Sequence, residues 1–437
     1  MITPVSYEKI KSDYRLEFVD LTKTSSFGGL PIFIHFLERS NFRSRLAEIL
    51  GDAAAKGLLQ IMLGSLMGAR SMEDVALLSK DRVIKGFIKA PLSATRIPRV
   101  LRKVAKSQIQ HLHELTLSNA LLDMTASTDK EYFQTLDFDA TADLMYGRQE
   151  GVAYGYVDKD QIKKCYQYQI IRNDALNTIV YGTVRDGSAH SQNDFCGYLS
   201  MILPLFSGTW ALRVRADSGY FNENAFDICH VNNIYFFIKA PMSLTRKSFA
   251  TSGLLKWRPD PDEPSIEYAT FQTKTAKGNP WQEIFKRERA LDKPDGFRYA
   301  CLASNDFRAE PRAAFNFYNK RANIENINSE LKGDLGLGSI VTKWFDVNDI
   351  ITQGIIILYQ LLSHFKRTCL DKADRGKRAA TLSEELFKVP AEIMRSSRRE
   401  WLRVYTRGYD GLTFARIFAR IEALSNVFVL AFQLRSG

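Results

Sequence analysis

The chain has 437 residues and a mass of 49.8 kDa, with 60 Lys+Arg against 49 Asp+Glu and a formal net charge of +11. Apolar residues make up 45% and charged residues 25%, values of a folded soluble protein, which excludes wholesale disorder. No run reaches the roughly 18–20 uninterrupted apolar residues of a membrane helix, and the five cysteines are scattered, odd in number and without a CxxC pair, which argues against a zinc ribbon or a disulfide framework.

The opening residues (MITPVSYEKIKSDYRLEF) lack the apolar stretch of a secretory leader, so a reducing, cytoplasmic setting is expected. At about 150 residues per domain the length suggests two or three domains. Charge is uneven: roughly +6 over residues 1–130, −2 over 131–310 and +7 over 311–437. Basic flanks around a slightly acidic middle suit a protein that grips a polyanion and performs metal chemistry at its centre. A merely basic soluble protein has the same profile.

Residues 1–130 read as helical. Leu30 to Glu38, Lys56 to Met67 and Met72 to Ser79 carry apolar residues at steps of three and four. A further helix follows Thr95, with Pro98 in its first turn. Ile97, Leu101, Val104 and Ile109 form one face; Arg99, Lys103 and Lys106, with Arg102 beside them, line another. That is either a DNA-facing stripe of a helix-turn-helix-like domain or an ordinary solvated face.

From residue 131 to 240 the pattern becomes mixed. Phe133 to Asp139 alternates as a strand, Cys165 to Arg172 and Thr178 to Val184 form a strand pair around the Asn173-Asp174 turn, and Asn193 to Phe206 is a helix. Trp210 to Ala216 alternates again, Asn222 to His230 is helical, and Ile234 to Ile238 is a strand. Residues 241–310 hold Pro259, Pro261, Pro264 and Pro280 among their prolines, with short β-like pieces (Ile266 to Thr273, Phe297 to Ala303), and read as an inserted β-rich subdomain. One long helix is expected from Arg312 to Lys332, within a 311–345 segment, and residues 346–437 read as helical. The decapeptide Phe87 to Arg96 (FIKAPLSATR) resembles Phe237 to Arg246 (FIKAPMSLTR); two copies do not make a repeat architecture.

The strongest chemical signal lies near residue 320. Tyr318, Arg321, Glu325 and Lys332 follow the spacing Y-x2-R-x3-E-x6-K, and in an ideal helix they fall within about 60° of one another. Ile324, Ile327 and Leu331 fall opposite and are expected to pack on a sheet. Two aspartates accompany this helix: Asp139 ends the first strand and Asp217 follows the fourth. Three carboxylates from two strands and one helix can form an oxygen-ligand cage for two divalent cations, which activate an attacking oxygen and stabilise the leaving one. Asp137, two residues earlier on the same strand face, is an alternative to Asp139.

With these motifs in hand, the chain resembles the DDE transposases of bacterial insertion sequences, in the group marked by the Tyr–Arg–Glu–Lys signature. DFDAT, ADSGYF, YNKRANIENINSELK and YGRQEGVAYGY look most like insertion-sequence family 1380. The likeness covers residues 130 to 335 well and the flanks in general character. It implies an α/β fold: an RNase H-like (retroviral-integrase-like) core with a β-rich insertion, flanked by helical N- and C-terminal regions. It also implies Asp139, Asp217 and Glu325 as catalytic, metal-binding triad, and Tyr318, Arg321 and Lys332 as phosphate and DNA-end contacts. Mg²⁺, with Mn²⁺ as a substitute, is the implied cofactor. Double-stranded DNA (terminal inverted repeats and target) is the implied partner, held by a dimer or larger synaptic complex, with no membrane and with nucleoid association when DNA is bound. If cleavage passes through a hairpin, Trp257 and Trp281 are candidates to stack a flipped base, or else core tryptophans. A nuclease of the same fold without strand transfer, and a catalytically idle DNA-binding protein, are the alternatives.

Weaker features are His190, expected near the site or as a loop histidine, and His111 and His113, which share no ligand spacing with other metal-binding types. Arg395, Arg399 and Arg403 recur every four residues around Trp401, with Arg398 and Arg407 close by, as a DNA clamp, a dimer support or a solvated helix face. No phosphate-binding loop of the nucleotide-hydrolase type occurs.

Overall fold

A computed structural model of the protein describes residues 23–126, 133–158, 161–206, 211–396, 399–406 and 408–424. The chain forms two compact units. One takes in the described residues up to 105, residues 334–341 and those from 364 on; the other takes in the described parts of 106–333 and 342–363. Among the described residues no helix is long and apolar enough to cross a membrane.

The first unit begins with a short strand, β1 (Thr24–Ser25), and six helices: α1 (Leu30–Arg39), α2 (Phe42–Leu50), α3 (Asp52–Leu66), α4 (Met72–Leu78), α5 (Arg82–Ile88) and α6 (Arg96–Leu101). Ser71 and Asp81 start α4 and α5 by accepting hydrogen bonds from the backbone N–H groups of Asp74 and Val83, which satisfies otherwise orphaned donors. The basic helix expected after Thr95 is shorter than its pattern suggested. It ends at Leu101, where Lys103 N–H bonds to Val100 O and Val104 N–H to Leu101 O in tightened turns. Lys106 opens a new helix, so Arg99, Arg102, Lys103 and Lys106, all exposed, are not one helical stripe.

The second unit opens with that helix, α7 (Lys106–Ala126). Its ten-stranded sheet contains β2 (Phe133–Leu144), β3 (Ala153–Asp158), β4 (Gln161–Asn173), β5 (Thr178–Arg185), β6 (Ala211–Ala216), β7 (Tyr235–Ala240), β8 (Arg258–Pro259), β9 (Ile266–Lys274), β10 (Pro280–Arg289) and β11 (Phe297–Ser304). Helices α8 (Ser191–Phe206) and α9 (Glu223–Val231) connect β5 to β6 and β6 to β7; α10 (Leu244–Thr251) precedes β8. Spatial order is β3-β4-β2-β6-β7-β11-β10-β9-β8, with β5 also on β4. The pairs β2–β6 and β6–β7 are parallel; the others are antiparallel. The proline-rich segment does not build a sheet of its own. Its strand β11 pairs with β7, Ser304 opposite Phe237 and Cys301 opposite Ala240, so the segment extends the central sheet.

Strand alternation divides the chemistry. Leu136 and Phe138 of β2 and Leu212, Val214 and Ala216 of β6 face a core completed by Phe195, Leu199, Ile202 and Phe226 from α8 and α9. The period of two therefore turns Asp137, Asp139, Arg213 and Arg215 to the other face.

Past the sheet, the expected single helix from 312 to 332 is broken into α11 (Pro311–Asn319), a 3₁₀ turn (Lys320–Ala322), α12 (Asn323–Ser329) and a π-helical turn (Glu330–Asp334). The remainder is α13 (Phe345–Cys369), α14 (Ala379–Leu382), β12 (Ala391–Ser396), β13 (Arg399–Val404) and α15 (Gly411–Glu422). The helical reading of 346–437 thus fails at Ala391–Ser396 and Arg399–Val404, which pair antiparallel and which β1 joins as a third strand. In the first unit Phe33 and Phe36 of α1 meet Phe365 at ring distances of 5.6 and 5.4 Å.

Candidate active site

Register brings the two aspartates together. In the parallel pair β2–β6, Phe138 lies opposite Ala216, and parallel neighbours are about 4.8 Å apart. Asp139 and Asp217 are each one residue further on; β6 ends there, whereas β2 runs on to Leu144, so Asp139 stands mid-strand and not at the strand end its sequence suggested. Asp217 caps the short turn Ser218–Tyr220, accepting the Gly219 N–H at 2.9 Å. The Tyr220 hydroxyl in that turn donates to Gln169 Oε1 (2.7 Å), and Gln169 Nε2 donates to the Asp139 carbonyl (3.0 Å). The two motifs are thereby tied through buried side chains.

Helix α12 and the turn before it approach the same strand. Arg321 Nη1 donates to Asp139 Oδ1 at 3.0 Å, and Asn328 Nδ2 donates to Asp139 Oδ2 at 2.6 Å. Glu325 lies between them in a 321, 325, 328 sequence, the spacing of one helix face, and it is exposed. Lys332, in the π turn, donates from Nζ to the Ala142 carbonyl at 2.5 Å. Ile324, Ile327 and Leu331 are buried, as their spacing suggested. The polar side, however, is not turned away from the sheet: its arginine and asparagine grip β2.

Electrostatics express this crowding. The Asp139 carboxyl is raised from 3.8 to about 6, chiefly by burial, with Asp217 and Glu325 pushing the same way and Arg321 opposing them. Burial pulls Arg321 down, but Asp139, Tyr318 and Asp217 more than offset it and leave its proton held above the ordinary arginine value. Burial raises the Tyr318 phenol and lowers Lys332, the latter opposed by Asp143 and Asp139. The three acidic residues share one field, yet among the described residues no group of three or more His, Cys, Asp or Glu is gathered closely enough to hold a metal ion.

Asp137 has a different environment. It is 0% exposed; its Oδ1 accepts Arg215 Nε (2.6 Å), and its Oδ2 accepts Arg215 Nη2 and Arg172 Nη1 (2.9 Å each). Both arginines also pair with Asp174 at 2.9 Å. Arg215 Nη1 then donates to the Phe317 carbonyl at 2.8 Å, pinning α11 to the sheet.

Comparison with known proteins gives the same direction. The family model described as transposase DDE domain group 1 matches residues 18–426. The chain belongs to this DDE transposase family. A solved structure of the piggyBac transposase synaptic complex with hairpin DNA is similar at 11% identity and a TM-score of 0.44, over 76% of this chain and 70% of that one. No curated protein matches the sequence.

The other residues of this transposase singled out from the sequence fall as follows. Trp281 is 3% exposed and packs on Phe221 and Phe226 at 5.9 and 5.2 Å, so its ring faces belong to the core rather than to a base. Trp257 is half-buried, with the Arg287 guanidinium 4.3 Å from its ring centre. His190 is exposed and lines a cavity of about 440 Å³ with Ala140, Ser218 and Gly219. His113 is structural: it bonds Asp349 through Nε2 (2.9 Å) and the Tyr181 hydroxyl through Nδ1 (3.0 Å). Arg395, Arg399 and Arg403 sit on the β12–β13 hairpin, not a helix, with Trp401 54% exposed; Arg398, Arg407 and Trp210 lie outside the described residues. Sequence reasoning missed Asn328, Gln169, Tyr220 and the Arg172–Arg215–Asp174 network. Asn328 had one available signal, three residues after Glu325 on the same helix face.

Proposed function

We propose that this transposase is a cut-and-join enzyme of the Tyr–Arg–Glu–Lys group, in insertion-sequence family 1380, with an RNase H-like core. The fold reading is supported by the order β5-β4-β2-β6-β7: three antiparallel strands, then two parallel ones entered through α8 and α9. The observation that carries the functional reading is the register that sets Asp139 and Asp217 on neighbouring strands, with Arg321 and Asn328 of the helix face that also bears Glu325 bonded to Asp139.

The donor set fits a divalent cation. It consists of carboxylate oxygens, which suit Mg²⁺ or Mn²⁺, and Asn328 Oδ1 beside Asp139 is a buried oxygen with no hydrogen-bond partner. Asp139, Asp217 and Glu325 would hold the ions, which when bound activate an attacking water or 3′-hydroxyl and stabilise the leaving oxygen of a phosphodiester. Asp137 is the weaker candidate because guanidinium groups hold both its oxygens. Arg321 forks onto a phosphate, Lys332 adds a point charge and Tyr318 braces Arg321. The helical region 1–130, with exposed Arg99, Arg102 and Lys103, binds the terminal inverted repeats, Lys106 adds a cation, and Trp257 remains the stacking candidate. Two chains hold the two element ends. Residues 131–240 and 311–345 are the core, 241–310 the insertion and 346–437 the C-terminal region.

The test uses duplexes carrying the inverted repeats that flank the reading frame. Asp139→Ala, Asp217→Ala and Glu325→Ala should keep repeat binding and lose strand cleavage in Mg²⁺ by at least about 100-fold. Full cleavage by Glu325→Ala overturns the reading. A pre-cut end with a free 3′-hydroxyl, offered a target plasmid, should give joined products; hydrolysis without joining would mean a nuclease.

A further inference from the structure

Both oxygens of Asp139 are already engaged, one by a cation and one by an amide. The amide is the less expected partner. Asn328 is 7% exposed; its Nδ2 is used, while its Oδ1 is buried and unpartnered. Buried polar atoms are nearly always paired, and an exception calls for an explanation. The orientation follows from Asp139, since a carboxylate can only accept, so nitrogen faces Asp139 and oxygen is left over. An uncompensated oxygen beside a carboxylate is a donor suited to a positive ligand.

Arg321 is the competitor for that ligand. Its guanidinium lies among Asp139, Asp217 and Tyr318, the same acidic field a divalent cation would enter, and two positive centres there repel. A phosphate diester offers Arg321 a bidentate partner in exchange.

We propose that Asn328 is the positioning residue of Asp139, orienting its carboxylate and adding an oxygen to the cation site, and that Arg321 is a clamp which a DNA phosphate draws off Asp139. Resting on the assignment of Asp139 as a metal ligand, this makes cation binding depend on DNA. Linkage makes the dependence reciprocal: the cation tightens end binding by the same factor.

Free Mn²⁺ measured by electron paramagnetic resonance tests this on the full chain. Wild type should bind Mn²⁺ weakly alone and roughly tenfold more tightly with an end duplex, the scale of one charged hydrogen bond. A duplex with neutral methylphosphonates at the end phosphates should bind without that gain, a comparison that needs no variant. Arg321→Gln should raise Mn²⁺ affinity without DNA, whereas Asn328→Leu should lower it with DNA, opposite signs that simple loss of structure does not give. Equal Mn²⁺ affinity of wild type with and without the natural duplex overturns the clamp, and undiminished affinity in Asn328→Leu overturns the positioning role. Undiminished binding in Asp139→Asn instead removes the ligand assignment beneath both.

Discussion

Asp139 binds its proton more tightly in the folded protein than in the unfolded chain, because burial and two acidic neighbours oppose its charge. Between the two values the native state holds more protons, so stability falls as pH rises and levels off above the folded value. The rise from 3.8 to about 6 corresponds to about 3 kcal/mol lost across that window. Asp139→Asn has no such proton to release. Its melting temperature relative to wild type should therefore climb from about pH 4.5 to about pH 7.5; a difference that stays flat in calorimetry would contradict the burial argument. The chemistry of this residue was legible in LDFDAT, whereas its clamp was not. Spacing puts Arg321 and Asn328 on one helix side, but only the packed position of that helix decides which strand atom they reach.

At the scale of elements, Arg215 joins three of them. It pairs with Asp137 of β2 and with Asp174, and holds the Phe317 carbonyl of α11, while itself fully buried on β6. Arg215→Met should cost about 3–5 kcal/mol in urea unfolding, because Asp137 is left buried with one partner fewer. Adding Asp137→Leu should recover much of that loss, since removing both charges is far cheaper than stranding one; no recovery would mean that the Phe317 bond dominates. The sequence revealed this strand through its alternation and hid the network, because buried arginines look like solvated ones in a pattern of polar and apolar letters. Strand β10 was hidden for a related reason. Gln282 and Glu283 are buried within PWQEIFKRER, Glu283 paired to Arg246 at 2.8 Å, and their polarity blurs the period of two. The β12–β13 hairpin misled in the opposite sense: Arg399 and Arg403, four apart on β13, satisfy a helical face, but four is also twice the period of a strand, and Arg395 lies on the partner strand β12.

Across the whole molecule, the twin decapeptides show why local reading has a limit. Phe87 and Ile88 end helix α5, with Lys89 and Ala90 at positive φ, whereas the matching Phe237 to Ala240 form strand β7. Identical FIKAP letters take two conformations, so tertiary pairing, not propensity, decides. In β7 that pairing is supplied from both sides, by β6 and by β11. The proline-rich segment is therefore not a detachable accessory. Excising residues 258–304 would strip β7 of its outer neighbour and leave a bare, apolar β-edge, the kind that recruits other chains. Such a truncated protein should sediment as aggregates rather than as a smaller folded body, and a soluble monodisperse product in analytical ultracentrifugation would show the segment to be dispensable. Whoever seeks a minimal catalytic fragment of this transposase will have to keep the segment, or cap the strand it leaves behind.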